Sequence, residues 1–111
     1  MLLNSWTTAW QQQDLSGYFA AYDPAFEPAN GESHDAWQAQ RQRAISNARE
    51  ISLRWYDLVL VSQEADTALV EVWLGYDSAT YKDSTLKQLR VQRNNGALHI
   101  TAENNLRVDR R

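Results

Sequence analysis

Residues 84–103 read STLKQLRVQRNNGALHITAE. Asn94-Asn95-Gly96 divides the stretch, because Asn and Gly accept the positive φ that a two-residue hairpin turn demands. Before the turn, Leu86 to Arg93 alternates as a strand, with Leu89 and Val91 sharing a face with Lys87 and Arg93. After it, Leu98, Ile100 and Ala102 oppose His99, Thr101 and Glu103. A turn this tight joins antiparallel strands. Further upstream, Ala68, Val70, Val72, Leu74 and Tyr76 share one strand face, and Glu71 and Trp73 take the other. Ile51, Leu53, Trp55, Val59 and Val61 alternate with Ser52, Arg54 and Tyr56 to give the first strand. Turns fall at 63–66 and 77–83. Asp57 breaks the first strand, which marks a bulge or an edge.

Before Glu50 the period is helical. Leu3, Trp6 and Trp10 stand at i, i+3 and i+7, and Leu15, Tyr18, Phe19 and Tyr22 resume that spacing. Asp14 lies between the two runs. It either caps a second short helix or sits in one long bent helix. Asp23-Pro24 ends the helical pattern, since the residue before proline avoids the α region. Residues 24–32 read as a loop, with Phe26 as its anchor to the core. Ser33 caps a helix from His34 to Ala48, whose apolar stripe is Trp37, Ala44, Ile45 and Ala48, with Arg41 inside it. The tail from Arg107 to Arg111 is expected to fray. Helices first, then four strands joined by short turns, predict an α+β fold with helices on one face of a four-stranded antiparallel sheet.

The 111 residues suit one domain, 1–111. A net charge of −3 argues against binding a phosphate backbone, and Arg41, Arg43, Arg49 and Arg54 are scattered among Gln and Glu, so no nucleic-acid partner is expected. There is no cysteine, hence no disulfide or thiolate metal site. No His stands at i+3 or i+4 from another ligand, so neither a metal nor another cofactor is expected. No apolar run reaches a membrane span of about 20 residues. Met1 to Trp6 lacks the basic and apolar regions of a signal peptide. Five Trp and five Tyr against two Phe imply a core with polar atoms that need partners.

The order Trp6, Trp10, Asp14, Tyr18, Tyr22, Phe26, Pro28, then Trp37, Arg41 and Ile45, carries a resemblance. So do Tyr76, Tyr81-Lys82-Asp83-Ser84, Lys87 with Leu89, and Gly96-Ala97-Leu98-His99-Ile100 leading to Glu103. The pattern resembles the nuclear transport factor 2-like, or SnoaL-like, superfamily. More narrowly, it is similar to the accessory domain of bacterial L,D-transpeptidase-type envelope proteins. The resemblance implies a cone, with a curved sheet wrapped around helices and a cavity at the wide end. Leu98 departs from it, standing where the family commonly has an aromatic residue. Met1 abuts the first helix, so the domain is expected to be excised from a longer chain.

That resemblance implies a non-catalytic accessory domain that binds a ligand or protein, in a periplasmic or cell-envelope parent. The alternatives are a small isomerase, cyclase or hydrolase with a carboxylate base in the cone, and a purely dimerising domain. Glu103, where the family carries a recurring Glu, is read as an ion-pair partner of Arg41 or Lys87, and as the base if the domain is an enzyme. Asp14 is a second candidate base, but reads first as a helix cap. Trp10, Tyr18, Tyr22, Trp37, Arg41, Tyr76 and Glu103 are the candidate ligand-binding set, for a small-molecule or peptidoglycan-related ligand. A guanidinium inside an aromatic stripe needs a carboxylate or an anion. His34 and His99 read as surface residues. Leu69 and Trp73 fall on the other sheet face, where a homodimer contact through the sheet is expected.

Overall fold

A computed structural model describes residues 2–111. Helix α1 (Leu2–Gln11) and α2 (Leu15–Ala20) lead into strand β1 (Tyr22–Glu27), a 3-10 turn (Ala29–Gly31) and α3 (His34–Asn47). Four long strands follow: β2 (Ser52–Glu64), β3 (Thr67–Asp77), β4 (Lys82–Asn94) and β5 (Ala97–Arg110). The sheet order is β1-β5-β4-β3-β2. The α+β class holds, with β2 to β5 the antiparallel meander read from the sequence.

The sheet has five strands rather than four, and it is mixed, because β1 runs parallel to β5. Tyr22 belongs to this added strand and not to the helix, which stops at Ala20. Pro24 made the segment read as a loop. An edge strand tolerates proline because one side of its backbone needs no ladder hydrogen bond. Phe26 anchors the segment, as expected, at 4% exposure. The tail does not fray either. β5 stays paired to β4 as far as Arg110 opposite Asp83. The Arg111 guanidinium then donates to the carbonyls of Tyr76 at 3.2 Å and Asp83 at 2.8 Å, and pairs with Asp77.

Local signals explain the element ends. Asp14 caps α2, its carboxylate accepting from the Gly17 N–H at 3.1 Å. Ser33 caps α3 by accepting from the Ala36 N–H at 3.1 Å. Asn95 and Gly96 take φ of 52° and 81° at the β4–β5 turn. Asp57 takes φ of 55° where the β2–β3 register shifts, so it is the bulge read from the sequence.

The helices cover one sheet face. Trp6, Trp10, Tyr18, Tyr22, Trp37 and Ile45 pack in one cluster with Val72, Leu74, Leu89, Val91 and Ile100. Burying an aromatic or aliphatic side chain of this size contributes roughly 1.5–3 kcal/mol. This cluster holds the sheet against the helices.

One irregularity decides what enters the cone. Along β5, Ile100 lies opposite Val91, but Ala102 lies opposite Arg90 and Glu103 opposite Leu89. Thr101 is therefore an extra residue, a β-bulge, and its hydroxyl donates to the Arg90 carbonyl at 3.2 Å. Strict alternation puts Glu103 on the face opposite Ile100. The bulge reverses that parity and turns Glu103 inward beside the core.

Candidate functional site

Arg41 is the first anomaly. It projects from α3 between Trp37 and Ile45, one turn from each, and lies over the rings of Trp10 at 4.9 Å and Tyr18 at 5.5 Å. Its Nε donates to the Tyr18 hydroxyl at 3.0 Å. The ion pairs among the described residues are Lys87–Glu103, Arg107–Asp109 and Arg111–Asp77, so Arg41 has no carboxylate partner there.

Of the two cations read as partners for Glu103, Lys87 is the one that takes it. Glu103 pairs with Lys87 at 2.5 Å, with side-chain exposures of 13% and 10%. Lys87 also donates to Asn105 Oδ1 at 2.9 Å. Tyr22 donates to the other Glu103 oxygen at 2.7 Å. Tyr22 in turn receives the Trp6 indole N–H at 3.2 Å and lies 3.1 Å from the Tyr18 hydroxyl. A phenol has one hydrogen, and that of Tyr22 goes to Glu103, so Tyr18 donates to Tyr22. The bonds run in one direction, from Arg41 through Tyr18 and Tyr22 to Glu103. Arg41 and Glu103 thus communicate through two tyrosines, not directly or through one neighbour.

The electrostatics follow from this wiring. Burial pushes the Glu103 carboxyl up, but the Lys87 charge and hydrogen bond, the Tyr22 bond and the Arg41 charge outweigh it and hold the group below its ordinary range. Burial and the Glu103 charge push Tyr22 well up, and burial also raises Tyr18. For Arg41, burial acts to lower the guanidinium, but Tyr18, Tyr22 and Glu103 together raise it. The site at neutral pH is two cations, one carboxylate and two neutral phenols, an inner wall of net charge +1.

A cavity of about 420 Å³ opens over this wall. Trp10, Tyr18, Trp37, Arg41 and Glu103 line it, so five of the seven expected ligand-binding residues meet at one place. Tyr22 stands behind them as the buried hub, at 6% exposure. Tyr76 lines an adjoining cavity of about 290 Å³, which shares Trp10, Arg41, Lys87 and Asn105 with the first. Phe26, Gln40, Asn104 and Asn105 complete the larger wall, with exposed Glu32 at its rim. Sequence reasoning missed the two asparagines. The Thr101 bulge carries its reversed parity on through Asn104 to set Asn105 opposite Lys87, and no periodicity signals it.

The other candidates lie away from this cavity. Asp14 is exposed at the α2 cap. His34 is exposed and sits edge-on to Trp37 at 5.5 Å. His99 is half-buried rather than solvent-facing, and its Nδ1 is buried with no partner among the described residues. Leu69 and Trp73 lie half-buried on the sheet face away from the helices, where Trp73 stacks on Tyr56 at 6.3 Å. No described helix is long and apolar enough to cross a membrane. No described group of three His, Cys, Asp or Glu residues is placed to hold a metal ion.

A helix-filled curved sheet with a polar cluster buried under its open mouth defines the cystatin-like, or nuclear transport factor 2-like, class of domain. Residues 1–104 match the model of the Cds6 C-terminal NTF2-like domain, and the chain belongs to that family. It is structurally similar to Bd1075 of Bdellovibrio bacteriovorus, with 24% identity and a TM-score of 0.81 over 93% of this chain and 37% of that one. It is also similar to the helical cell shape determining protein Pgp2 of Campylobacter jejuni, with 19% identity and a TM-score of 0.73 over 93% and 38% of the two chains. The chain therefore spans under two-fifths of each of these proteins. A Nostoc punctiforme protein of unknown function with a cystatin-like fold is similar along most of its own length, at 14% identity, TM-score 0.77, and 97% and 86% coverage. No curated protein matches the chain.

Proposed function

We propose that this domain is a non-catalytic accessory module that binds a carboxylate-bearing ligand in the mouth of its cone. The observation that carries the reading is Arg41. A largely buried guanidinium spends one N–H on a phenol, meets no described carboxylate, and lines the cavity. Burying a cation without a counter-charge is costly, and an incoming anion relieves that cost. Trp10 and Trp37 supply flat apolar walls beside it, suited to a sugar ring or an acyl chain.

The same wiring disfavours base chemistry at Glu103. A general base in a cone works best with a pKa brought toward neutrality, and this carboxylate is held below its ordinary range by Lys87 and Tyr22. Asp14 is occupied as a cap, away from the cavity. A cell-shape determinant among the structural relatives supports a bacterial envelope setting for the parent protein and a peptidoglycan-related ligand.

Isothermal titration with a soluble disaccharide-peptide fragment of peptidoglycan tests the reading. Wild-type protein should bind it, and Arg41→Met should weaken binding at least about tenfold, the scale of one charge-assisted contact. Binding of equal strength to both proteins, or none to the wild type, contradicts the assignment.

A further inference from the structure

The two edges of the sheet are built differently. β1 is six residues long and carries Asp23, Pro24 and Glu27, the kind of residues that keep an edge from pairing with another chain. β2 runs thirteen residues with no lysine or proline. From Leu58 to Val61 it presents four consecutive apolar side chains, which are 43%, 55%, 55% and 48% exposed. Contact with water is unfavourable for such a row, and its outer backbone groups face no strand.

Strand β2 also has an internal symmetry. Its register against β3 shifts between Tyr56 and Val59 and again between Leu60 and Ser62, so an extra residue lies on each side of Val59. Arg54 precedes Val59 by five residues and Glu64 follows it by five. Arg54, Tyr56, Val59, Ser62 and Glu64 lie opposite Gly75, Trp73, Glu71, Leu69 and Thr67, which alternate onto the face of β3 turned from the helices. The basic and acidic ends of β2 therefore share one face at equal distances from its centre.

We propose that two copies of this chain pair β2 to β2 in antiparallel register about a two-fold axis at Val59, continuing the sheet from one copy into the next. In that register Arg54 opposes Glu64 of the second copy, twice over. Each irregularity faces the other copy's irregularity, so the pairing keeps step on both sides. A parallel arrangement would oppose Arg54 to Arg54 and Glu64 to Glu64. The antiparallel arrangement covers Leu58 to Val61, and it is distinct from a contact through the Leu69–Trp73 face.

The chain has no cysteine, which makes cross-linking clean. Val59→Cys lies on the axis and should oxidise to a disulfide dimer. Ser62→Cys places its thiols about 14 Å apart, because residues 56–62 span only four residues of β3, and should not. In sedimentation velocity at about 100 µM, suited to a small interface, the wild type should dimerise. Arg54→Glu should weaken the dimer about tenfold through two repelling pairs, and Arg54→Glu with Glu64→Arg should restore it. All four positions are exposed, so the fold survives these changes. A monomeric wild type overturns the proposal. So does a dimer indifferent to Arg54→Glu, or one cross-linked equally by Ser62→Cys and lost with Trp73→Lys, which would place the contact on the sheet face.

Discussion

Tyr22 has one hydroxyl hydrogen, and Glu103 takes it. The Tyr22 oxygen then accepts from both Trp6 and Tyr18, which leaves the hub fully satisfied. Tyr22→Phe keeps the packing and strands two donors and one carboxylate oxygen, so it should cost about 1–3 kcal/mol in urea denaturation. A loss under about 0.5 kcal/mol would mean the hub contributes little. Glu103 also sets an acid response. Its folded-state carboxyl titrates below the ordinary value of about 4.3, so the unfolded chain takes up that proton first as pH falls. The stability it contributes is complete above that ordinary value and is lost as pH drops toward the folded one. Urea midpoints measured from neutral pH down through this window should fall less steeply for Glu103→Gln than for wild type. Parallel acid limbs would contradict the wiring. The type of these residues was legible in the chain, since a cation in an aromatic stripe and a carboxylate near a strand end stand out. Their partners were legible in part, since Lys87 was one of the two cations read for Glu103. Lys87 takes the carboxylate because it sits on the neighbouring strand, whereas Arg41 reaches it only through two phenols.

At the scale of elements, the helical segments, with one helix or two left open around Asp14, and the four strands and turns of the meander could be read from period and punctuation. One failure arises because period-two counting assumes an unbroken ladder. The bulge at Thr101 inverts the parity of β5, so alternation alone sends Glu103 outward, while the fold turns it in. β1 was missed because it is short, contains proline and pairs in parallel with the last strand, a partner over seventy residues away. Asp14 shows the opposite case, a local signal that tertiary structure leaves intact. As a cap, Asp14→Ala should lower stability by about 1 kcal/mol and leave ligand affinity in the cone unchanged. A change in affinity with no change in stability would make Asp14 a site residue after all.

For the whole molecule, the cone gathers five tryptophans into distinct environments, and that makes its function directly readable. Trp10 and Trp37 line the cavity. Trp55 donates its indole N–H to Asn4 at 2.9 Å on the helix side of β2, and Trp73 stacks on Tyr56 on the opposite sheet face. Composition announced the aromatic excess but not this division, which depends on where helices end over the sheet. A ligand carboxylate at Arg41 is what we propose the cone mouth receives. Its most direct test is a proton–nitrogen correlation spectrum of the indole N–H groups, recorded while a peptidoglycan disaccharide-peptide is added. The Trp10 and Trp37 signals should shift and saturate together while those of Trp55 and Trp73 stay in place, and Arg41→Met or amidation of the ligand's carboxyl groups should abolish the shifts. Shifts confined to Trp55 and Trp73, or shifts at Trp10 and Trp37 that persist in Arg41→Met, would contradict it.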